Sequence, residues 1–455
     1  MENKSGWLRI DEKKKKEVMN FAEEYKKFLK EVKTEREAVN FFEELAKKNG
    51  FEPLERAKKL GKGKYYVIKN GKAMALLSIN EDLEKGFRII AAHIDSPRLD
   101  LKPNPIIEDK DSQTVLFKTH YYGGIKKYQW VSRPLAIHGI VVKKSGEKIS
   151  INIGEDPEDP VFSIPDLLPH LSRKVQGEKK LLEGFEGEDL QLIVSHIPDA
   201  KDEKSSLKNS LLKLLNEKYG IEEEDLFSAD LEVVPAHQPR DVGFDKSMLG
   251  AYGQDDRICA FTSVKAMLDS QQKGNTIVIL FDKEEIGSDG NVGAQSNFIE
   301  YVIARTLDID NQKYSYGTFL EIMNKSKVIS ADVNAVVNPL FKQVHDLNNA
   351  AKAGFGVVVT KYTGSGGKYS SSEAQAELVA EIMNLFDKKK VIYQFGLLGK
   401  VDEGGGGTVA KYLAKYGMQV IDMGPGLISM HSPFELVSKF DLWSTYQAYK
   451  AFLEG

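Results

Sequence analysis

The chain has 455 residues, long enough for roughly two or three domains and for a hydrophobic core that can hold a rigid site. Its 63 basic and 67 acidic side chains give a net charge of −4, which gives no reason to expect a nucleic-acid partner. A single cysteine, Cys259, excludes an intrachain disulfide framework and a cysteine-rich zinc site.

The start of the chain and its apolar runs bear on localisation. The first residues, MENKSGWLRIDEKKKKEV, contain no apolar stretch of the kind found in a signal peptide. No apolar run approaches the length needed to span a bilayer. Because a lone cysteine also suits a reducing compartment, the sequence predicts a soluble, cytoplasmic protein without a membrane partner.

The chain opens with helices and then turns to strands. Residues 11–50 carry apolar side chains at three- and four-residue spacing, which predicts helices that end at Gly50. Two short strands joined by an Asn-Gly hairpin turn are predicted next. Phe87–Ala92 is an unbroken apolar run of strand length, and it leads directly into His93 and Asp95.

The middle of the chain has a different pattern from its two ends. Between about Leu101 and Val234, short alternating strands lie between Gly, Pro and Asp turns and predict a β-rich unit. Alternation of helices and strands resumes at Asp256 and continues to a last helix predicted from Pro433. This pattern indicates an α/β fold with a mostly parallel, doubly wound sheet. The predicted α/β domain comprises residues 1–98 and 236–455, interrupted by a β-rich insert at 99–235.

One stretch carries an unusual concentration of acids. Thr276–Phe281 is an apolar, β-branched run typical of a strand covered on both faces, and Glu284 and Glu285 follow it closely. Acids just beyond the carboxyl end of such a strand lie where open α/β sheets bind ligands. Taken alone, the two glutamates would more simply cap or begin a solvated helix.

Five segments repeat this chemistry at strand ends or turns. Each places residue types that bind metals at such a point: His93 with Asp95, Asp255 with Asp256, Glu284 with Glu285, Asp332, and His431. Two like charges about 4 Å apart repel by roughly 4 kcal/mol at an effective dielectric constant of 20, so converging carboxylates call for cations. Imidazoles combined with carboxylates suit zinc, manganese or cobalt. A pair of metals needs one bridging carboxylate, and chemistry alone leaves Asp255 and Asp256 as alternatives.

The sequences around these residues also resemble a known family. AAHIDSPRLDLKP, AYGQDDRICAF, DKEEIGSDGNVGAQS, SADVNAVVNP and MHSPFE are similar, in order and spacing, to the motifs of the aspartyl aminopeptidases. These enzymes are di-zinc exopeptidases, and the resemblance covers essentially the whole chain. It implies a zinc-exopeptidase-like catalytic domain at 1–98 and 236–455 and a dimerisation domain at 99–235. It further implies a homo-oligomer, a dodecamer built from dimers, that acts on short peptides.

The resemblance implies a ligand set for two divalent metal ions per subunit. Asp255 would bridge the two ions, which are predicted to be zinc, with manganese or cobalt as alternatives. His93 and Asp332 would complete one metal site, while Glu285 and His431 would complete the other.

Three further residues receive catalytic roles from the resemblance. Glu284 would be the general base that deprotonates a water activated by the two metals. Asp95 would hold the second nitrogen of the His93 imidazole. His170 would reach the active site of a neighbouring subunit and donate a hydrogen bond to the oxyanion.

The predicted activity is metal-dependent removal of N-terminal residues, with the acidic residues Asp and Glu as the family's preferred substrates. The glycine-rich runs Gly364–Glu373 and Asp402–Thr408 differ from the family's eukaryotic pattern and leave that preference open. Two alternatives stand beside this prediction. A di-metal deacylase or carboxypeptidase could use the same site, and a non-enzymatic scaffold could have kept the fold.

Overall fold

The computed structural model describes residues 4–198, 206–310 and 315–455. Within these residues the α-helices, α1–α10 in chain order, are Glu12–Glu31, Glu35–Lys48, Pro169–Val175, Leu207–Tyr219, Gln254–Asp269, Phe298–Ile309, Tyr316–Lys325, Ala376–Lys389, Ala410–Ala414 and Lys439–Glu454. The strands, β1–β20, are Glu52–Pro53, Gly63–Lys69, Ala73–Ile79, Arg88–His93, Arg98–Asp109, Thr114–Tyr122, Leu135–Val142, Lys148–Ile153, Gln191–Ser195, Asp230–Pro235, Arg240–Val242, Met248–Ala251, Thr276–Phe281, Lys327–Ala331, Asn334–Ala335, Val357–Thr360, Tyr393–Phe395, Gln419–Gly424, Gly426–Ile428 and Glu435–Ser438.

These residues form two compact units. The first unit contains the described residues of Met1–Asp95, Pro239–Met430 and Phe434–Gly455. The second unit contains those of Ser96–Gln238 together with the short segment His431–Pro433. None of the described helices is long and apolar enough to cross a membrane.

A nine-stranded sheet forms the centre of the first unit. Its strand order is β1-β2-β3-β13-β4-β14-β18-β16-β17, and strands β13, β4, β14 and β18 run parallel to their neighbours within that group. Alternate residues of a central strand enter different apolar clusters: Ile90 and Ala92 pack on one face, and Ile89 and Ala91 on the other. Helices α5 and α10 contribute to the first cluster, α6 and α7 to the second. The predicted α/β fold with a mostly parallel sheet is confirmed.

The first unit also contains a five-stranded sheet that the sequence did not predict. Its order is β11-β12-β20-β19-β15. Strand β20 pairs antiparallel with β12 and β19, with Val437 opposite Leu249 and Leu427. A helix predicted from Pro433 is therefore wrong at its start, because this long-range pairing makes Glu435–Ser438 a strand and helix α10 begins at Lys439.

The second unit is built on a six-stranded sheet with the order β8-β7-β10-β5-β6-β9. Its paired strands are antiparallel throughout, as in the contact of β5 with β6 from Arg98 to Asp109. The predicted β-rich character of this part of the chain is confirmed. The short helix α3 follows Leu168 and has Pro169 at its first position, where the missing N–H of proline costs nothing.

Candidate metal centre

Three neighbouring parallel strands of the nine-stranded sheet end at one edge and deliver the first group of polar side chains. Strand β4 ends at His93, which lies opposite Phe281, the last residue of β13. Strand β14, on the other side of β4, ends at Ala331 just before Asp332. The carboxyl ends of parallel strands lie at the same edge of a sheet. Side chains that follow these strands therefore come together at that edge.

His93 is the buried centre of this group. Its Nε2 lies 3.4 Å from Asp255 Oδ1 and 4.0 Å from Asp332 Oδ1. Its Nδ1 lies 3.1 Å from the main-chain oxygen of Asp95 and 3.2 Å from Asp95 Oδ1. Two oxygens beside Nδ1 favour the tautomer with its proton there, which leaves the Nε2 lone pair directed at the carboxylates.

Two sets of three residues bring ligand atoms close enough together for a metal ion. One set is His93, Asp256 and Asp332, and the other is His93, Asp255 and Glu285. Within each set, one ligand atom per residue lies within 4.8 Å of the others. The structure thus brings four of the five predicted metal ligands together and adds Asp256, which the chemistry of the sequence left as an alternative to Asp255 and the family resemblance did not select.

Asp255 and Asp256 lie at the beginning of helix α5 in a turn that is not yet helical. Their φ/ψ angles are −80°/108° and −117°/26°, and the peptide bond between them is cis. Asp256 Oδ2 accepts a hydrogen bond from the backbone N–H of His93 at 3.3 Å. Both carboxylates of this turn therefore approach His93, one through its ring and one through its main chain.

Glu284 and Glu285 begin a single 3-10 turn directly after strand β13. Their backbone N–H groups donate to Asp95 Oδ1 and Oδ2, each at 3.1 Å. The turn is bounded by Lys283 and Gly287, which have φ angles of 67° and 101°. Asp95 therefore contacts both the His93 ring and the main chain that carries the two glutamates.

Burial is the largest influence on the electrostatics of this group, and neighbouring charges add to it. Burial raises the pKa of Asp332 well above its usual range, and the charges of Asp256, Asp255 and Glu284 raise it further. Burial likewise raises the pKa of Asp256. Burial by itself lowers the pKa of His93, but hydrogen bonds to Asp255 and Asp95 outweigh it, and the net pKa lies well above the usual range. The raised pKa of His93 and the mutual effect of the aspartate charges show that negative charge is in excess at this buried point.

The donor set fits a divalent metal ion. An imidazole nitrogen and several carboxylate oxygens are ligands that zinc accepts. Asp256 Oδ1 is buried and has no hydrogen-bond partner among the described residues, which is an energetically costly state for a carboxylate oxygen. A cation would supply the missing positive charge.

The two remaining predicted site residues belong to the second unit. His431 is half-buried, with φ 63°, and its Nδ1 lies 3.0 Å from the main-chain oxygen of Gly124. His170 is the second residue of helix α3 and is exposed. The roles of His431 as a metal ligand and of His170 as an oxyanion donor stay predictions.

An edge of a parallel sheet with this donor set is typical of metal-dependent hydrolases, and comparison with known proteins identifies the class. The model of the M18 peptidase family, described as aminopeptidase I zinc metalloprotease, matches residues 28–453. The chain belongs to this family and is a metallo-aminopeptidase.

Individual relatives and solved structures of this family are similar to the chain over nearly all of its residues. A probable M18 family aminopeptidase 1 of Thermotoga maritima is 50% identical over 455 residues, covering 100% of this chain and 99% of the relative. The crystal structure of a T. maritima M18 aminopeptidase has a TM-score of 0.96 at 50% identity, covering 100% and 99% of the two chains. A structure of the S. cerevisiae mApe1 dodecamer has a TM-score of 0.76 at 24% identity, covering 95% and 96%, and shows likeness of fold alone.

Proposed function

We propose that this protein hydrolyses the N-terminal peptide bond of short peptides with two divalent metal ions and Glu284 as the general base. The observation that carries the proposal is the convergence of His93, Asp255, Asp332 and Glu285 at one sheet edge in a chain of the M18 family. The turn that carries Glu284 is hydrogen-bonded to Asp95, next to these four residues. This position supports Glu284 as a general base within reach of the metal site.

In the proposed site, His93 and Asp332 would hold one ion, Glu285 and His431 the other, and Asp255 would bridge them. Bound divalent ions supply Lewis acidity that polarises a carbonyl and lowers the pKa of water. Zinc fits the donors and the family description, with manganese or cobalt as further candidates.

The protein's own groups would handle the proton. Glu284 would accept a proton from the attacking water and return it to the leaving amine, the usual dual use of a general base and acid. Asp95 would support this step indirectly, because it fixes the His93 tautomer and binds the main chain of the Glu284 turn. His170 of a neighbouring subunit would donate a hydrogen bond to the oxyanion.

The finer substrate preference rests on the resemblance to aspartyl aminopeptidases. Under this proposal the enzyme is a bacterial-type member that prefers Asp or Glu at the N-terminus. The free α-amine of the peptide would carry a positive charge, and the carboxylates around His93 would attract it.

We also assign residues 1–98 and 236–455 to catalysis and residues 99–235 to dimerisation, within a cytoplasmic dodecamer built from dimers. Exposed apolar side chains that lie near one another in sequence, in and around helix α3, support an interface there: Leu167, Leu168, Leu171, Val175, Leu181 and Leu182. The dodecamer of the yeast relative supports closed assembly.

The direct test of the reaction class compares matched peptides. A peptide with a free N-terminus, its N-acetylated form and its C-terminally amidated form would be incubated with the purified enzyme and zinc, and the products identified by mass. Release of the first residue from the free and amidated peptides, but not from the acetylated one, would support the aminopeptidase. Loss of the acetyl group would indicate a deacylase, and release of the last residue a carboxypeptidase.

A further inference from the structure

The buried carboxylate of Glu435 contacts the turn that carries Asp255. Glu435 is the first residue of strand β20 and only 1% exposed. Its Oε2 accepts the backbone N–H of Gln254 at 2.6 Å and that of Asp255 at 3.1 Å. The Gln254 side chain returns the contact, since its Nε2 donates to the main-chain oxygen of Glu435 at 2.7 Å.

The turn that leads into helix α5 needs such a partner because Gly253, at its start, has no side chain that could accept from these N–H groups. The first backbone N–H groups of a helix have no acceptor within the helix, and a side chain at the N-cap ordinarily accepts from them. Here the N-cap is Gly253, with φ 69° and no side chain. A Cβ at this position would lie 1.5 Å from Arg257 Nη2, so a larger residue would displace the buried guanidinium as well as adopt a strained φ.

Glu435 therefore supplies, from a strand distant in sequence, the acceptor for the two N–H groups of this turn. The pairing of β12 with β20 places Glu435 opposite Ala251, four residues before Asp255. A charged acceptor makes stronger hydrogen bonds to N–H groups than a neutral one, and burial strengthens them further. The same residue, Asp255, is bound through its main chain to Glu435 and through its side chain to His93.

We propose that Glu435 is a positioning residue that sets the affinity of the site for its metal ions by fixing the Asp255 turn. This inference rests on the proposed function, because it takes Asp255 as a metal ligand. A ligand must be held within about 0.5 Å of its productive position, and supporting contacts of this kind typically contribute 10–100-fold in metal affinity.

The experiment measures zinc affinity by competition with a chromogenic chelator in the full-length wild type, Glu435→Ala and Glu435→Gln. The matched control is Asp441→Ala. Asp441 is also a buried carboxylate that accepts two backbone N–H groups, from Gly354 and Gly356 at 2.7 Å each, but it binds a different loop. Melting temperatures of the metal-free proteins report the structural loss in each variant.

The inference predicts that both alanine variants lower the melting temperature, whereas only Glu435→Ala weakens zinc binding, by about 10–100-fold. Glu435→Gln keeps an acceptor oxygen and should recover part of that affinity; it carries the test if the alanine variant does not fold. Unchanged zinc affinity in both Glu435 variants, or an equal loss in Asp441→Ala, would overturn the inference. A wild type that binds no zinc would instead overturn the proposed function.

Discussion

The carboxylate of Asp95 accepts the backbone N–H of Glu284 at 3.1 Å, joining the end of strand β4 to the turn after β13. The same carboxylate lies 3.2 Å from His93 Nδ1. One buried side chain thus fixes both a proposed metal ligand and the main chain of the proposed base. Changes at Asp95 should therefore affect metal binding and turnover together.

Asp95→Asn should reduce zinc affinity by about 10–100-fold and lower turnover even at saturating zinc. Asparagine keeps one acceptor oxygen, but its NH₂ group would face an N–H of the Glu284 turn or the His93 ring. Chelator competition and steady-state kinetics measure the two effects. Asp82→Asn is the control, because Asp82 caps an exposed turn through Glu84 N in the same unit. Wild-type affinity and turnover in Asp95→Asn would contradict the role given to Asp95.

Glu284→Gln should lower kcat by about 10²–10⁴-fold while the protein keeps its metal. The amide preserves shape but cannot accept the proton from water. Metal content by elemental analysis and kcat on a peptide substrate are the measurements, and Glu285→Gln provides the contrast, because it should lose metal as well. Unchanged turnover in Glu284→Gln with near-normal metal content would remove Glu284 from the mechanism.

Asp282→Asn should make stability less sensitive to pH. Burial raises the pKa of Asp282 to about 9, with contributions from the charges of Glu35 and Asp95. An unfolded aspartate titrates near 4, so between about pH 4 and pH 9 the folded protein binds a proton that the unfolded chain does not. Folding stability from this group therefore falls as pH rises, by about 1.4 kcal/mol per pH unit.

The asparagine variant lacks this dependence. Its melting temperature relative to wild type should increase steadily as the buffer is changed from pH 6 to pH 8, measured at constant ionic strength. If the melting temperatures of the two proteins change with pH by the same amount across this range, Asp282 does not hold a proton in the folded state.

Under the proposed assembly through the second unit, Leu171→Asp combined with Leu181→Asp should break the particle into smaller species. These leucines are 63% and 68% exposed in the second unit, and placing charges on a buried apolar interface is strongly unfavourable. Light scattering coupled to size exclusion measures the mass of the particle. Leu8→Asp, at a leucine that is 79% exposed in the first unit, is the control. A double variant with the mass of the wild type would exclude these two leucines from the interface.

The sequence predicts the central sheet and the grouping of site residues well, because both follow from local patterns. Apolar runs such as Thr276–Phe281 identify central strands, and polar residues directly after them, such as Asp332, must share an edge once the strands are parallel. The family motifs assigned each residue its role as metal ligand or general base. Position at the end of a strand does not distinguish these roles. The start of the last helix was wrong because a strand of four residues, Glu435–Ser438, depends on partners distant in sequence.

The hydrogen bonds that hold the site residues in place cannot be predicted from local sequence patterns, because they too join residues distant in sequence. The hydrogen bonds from Gln254 N and Asp255 N to Glu435 join residues about 180 positions apart. Likewise, the approach of Asp256 to His93 N depends on a local turn geometry at the start of α5 that helical periodicity does not reveal. Glu435 is the last residue of the motif MHSPFE, but only the fold shows which main-chain groups it binds.

The central claim is that this protein is a metal-dependent aminopeptidase, and one assay tests it most directly. Hydrolysis of a panel of aminoacyl-p-nitroanilides would be measured for the purified protein as isolated, after chelation, and after addition of zinc, manganese or cobalt. We expect activity that chelation abolishes and metal restores, greatest for Asp and Glu substrates. Metal-restored activity on other residues would keep the mechanism and reject the acidic preference. No release from any substrate by protein with bound metal would contradict the account.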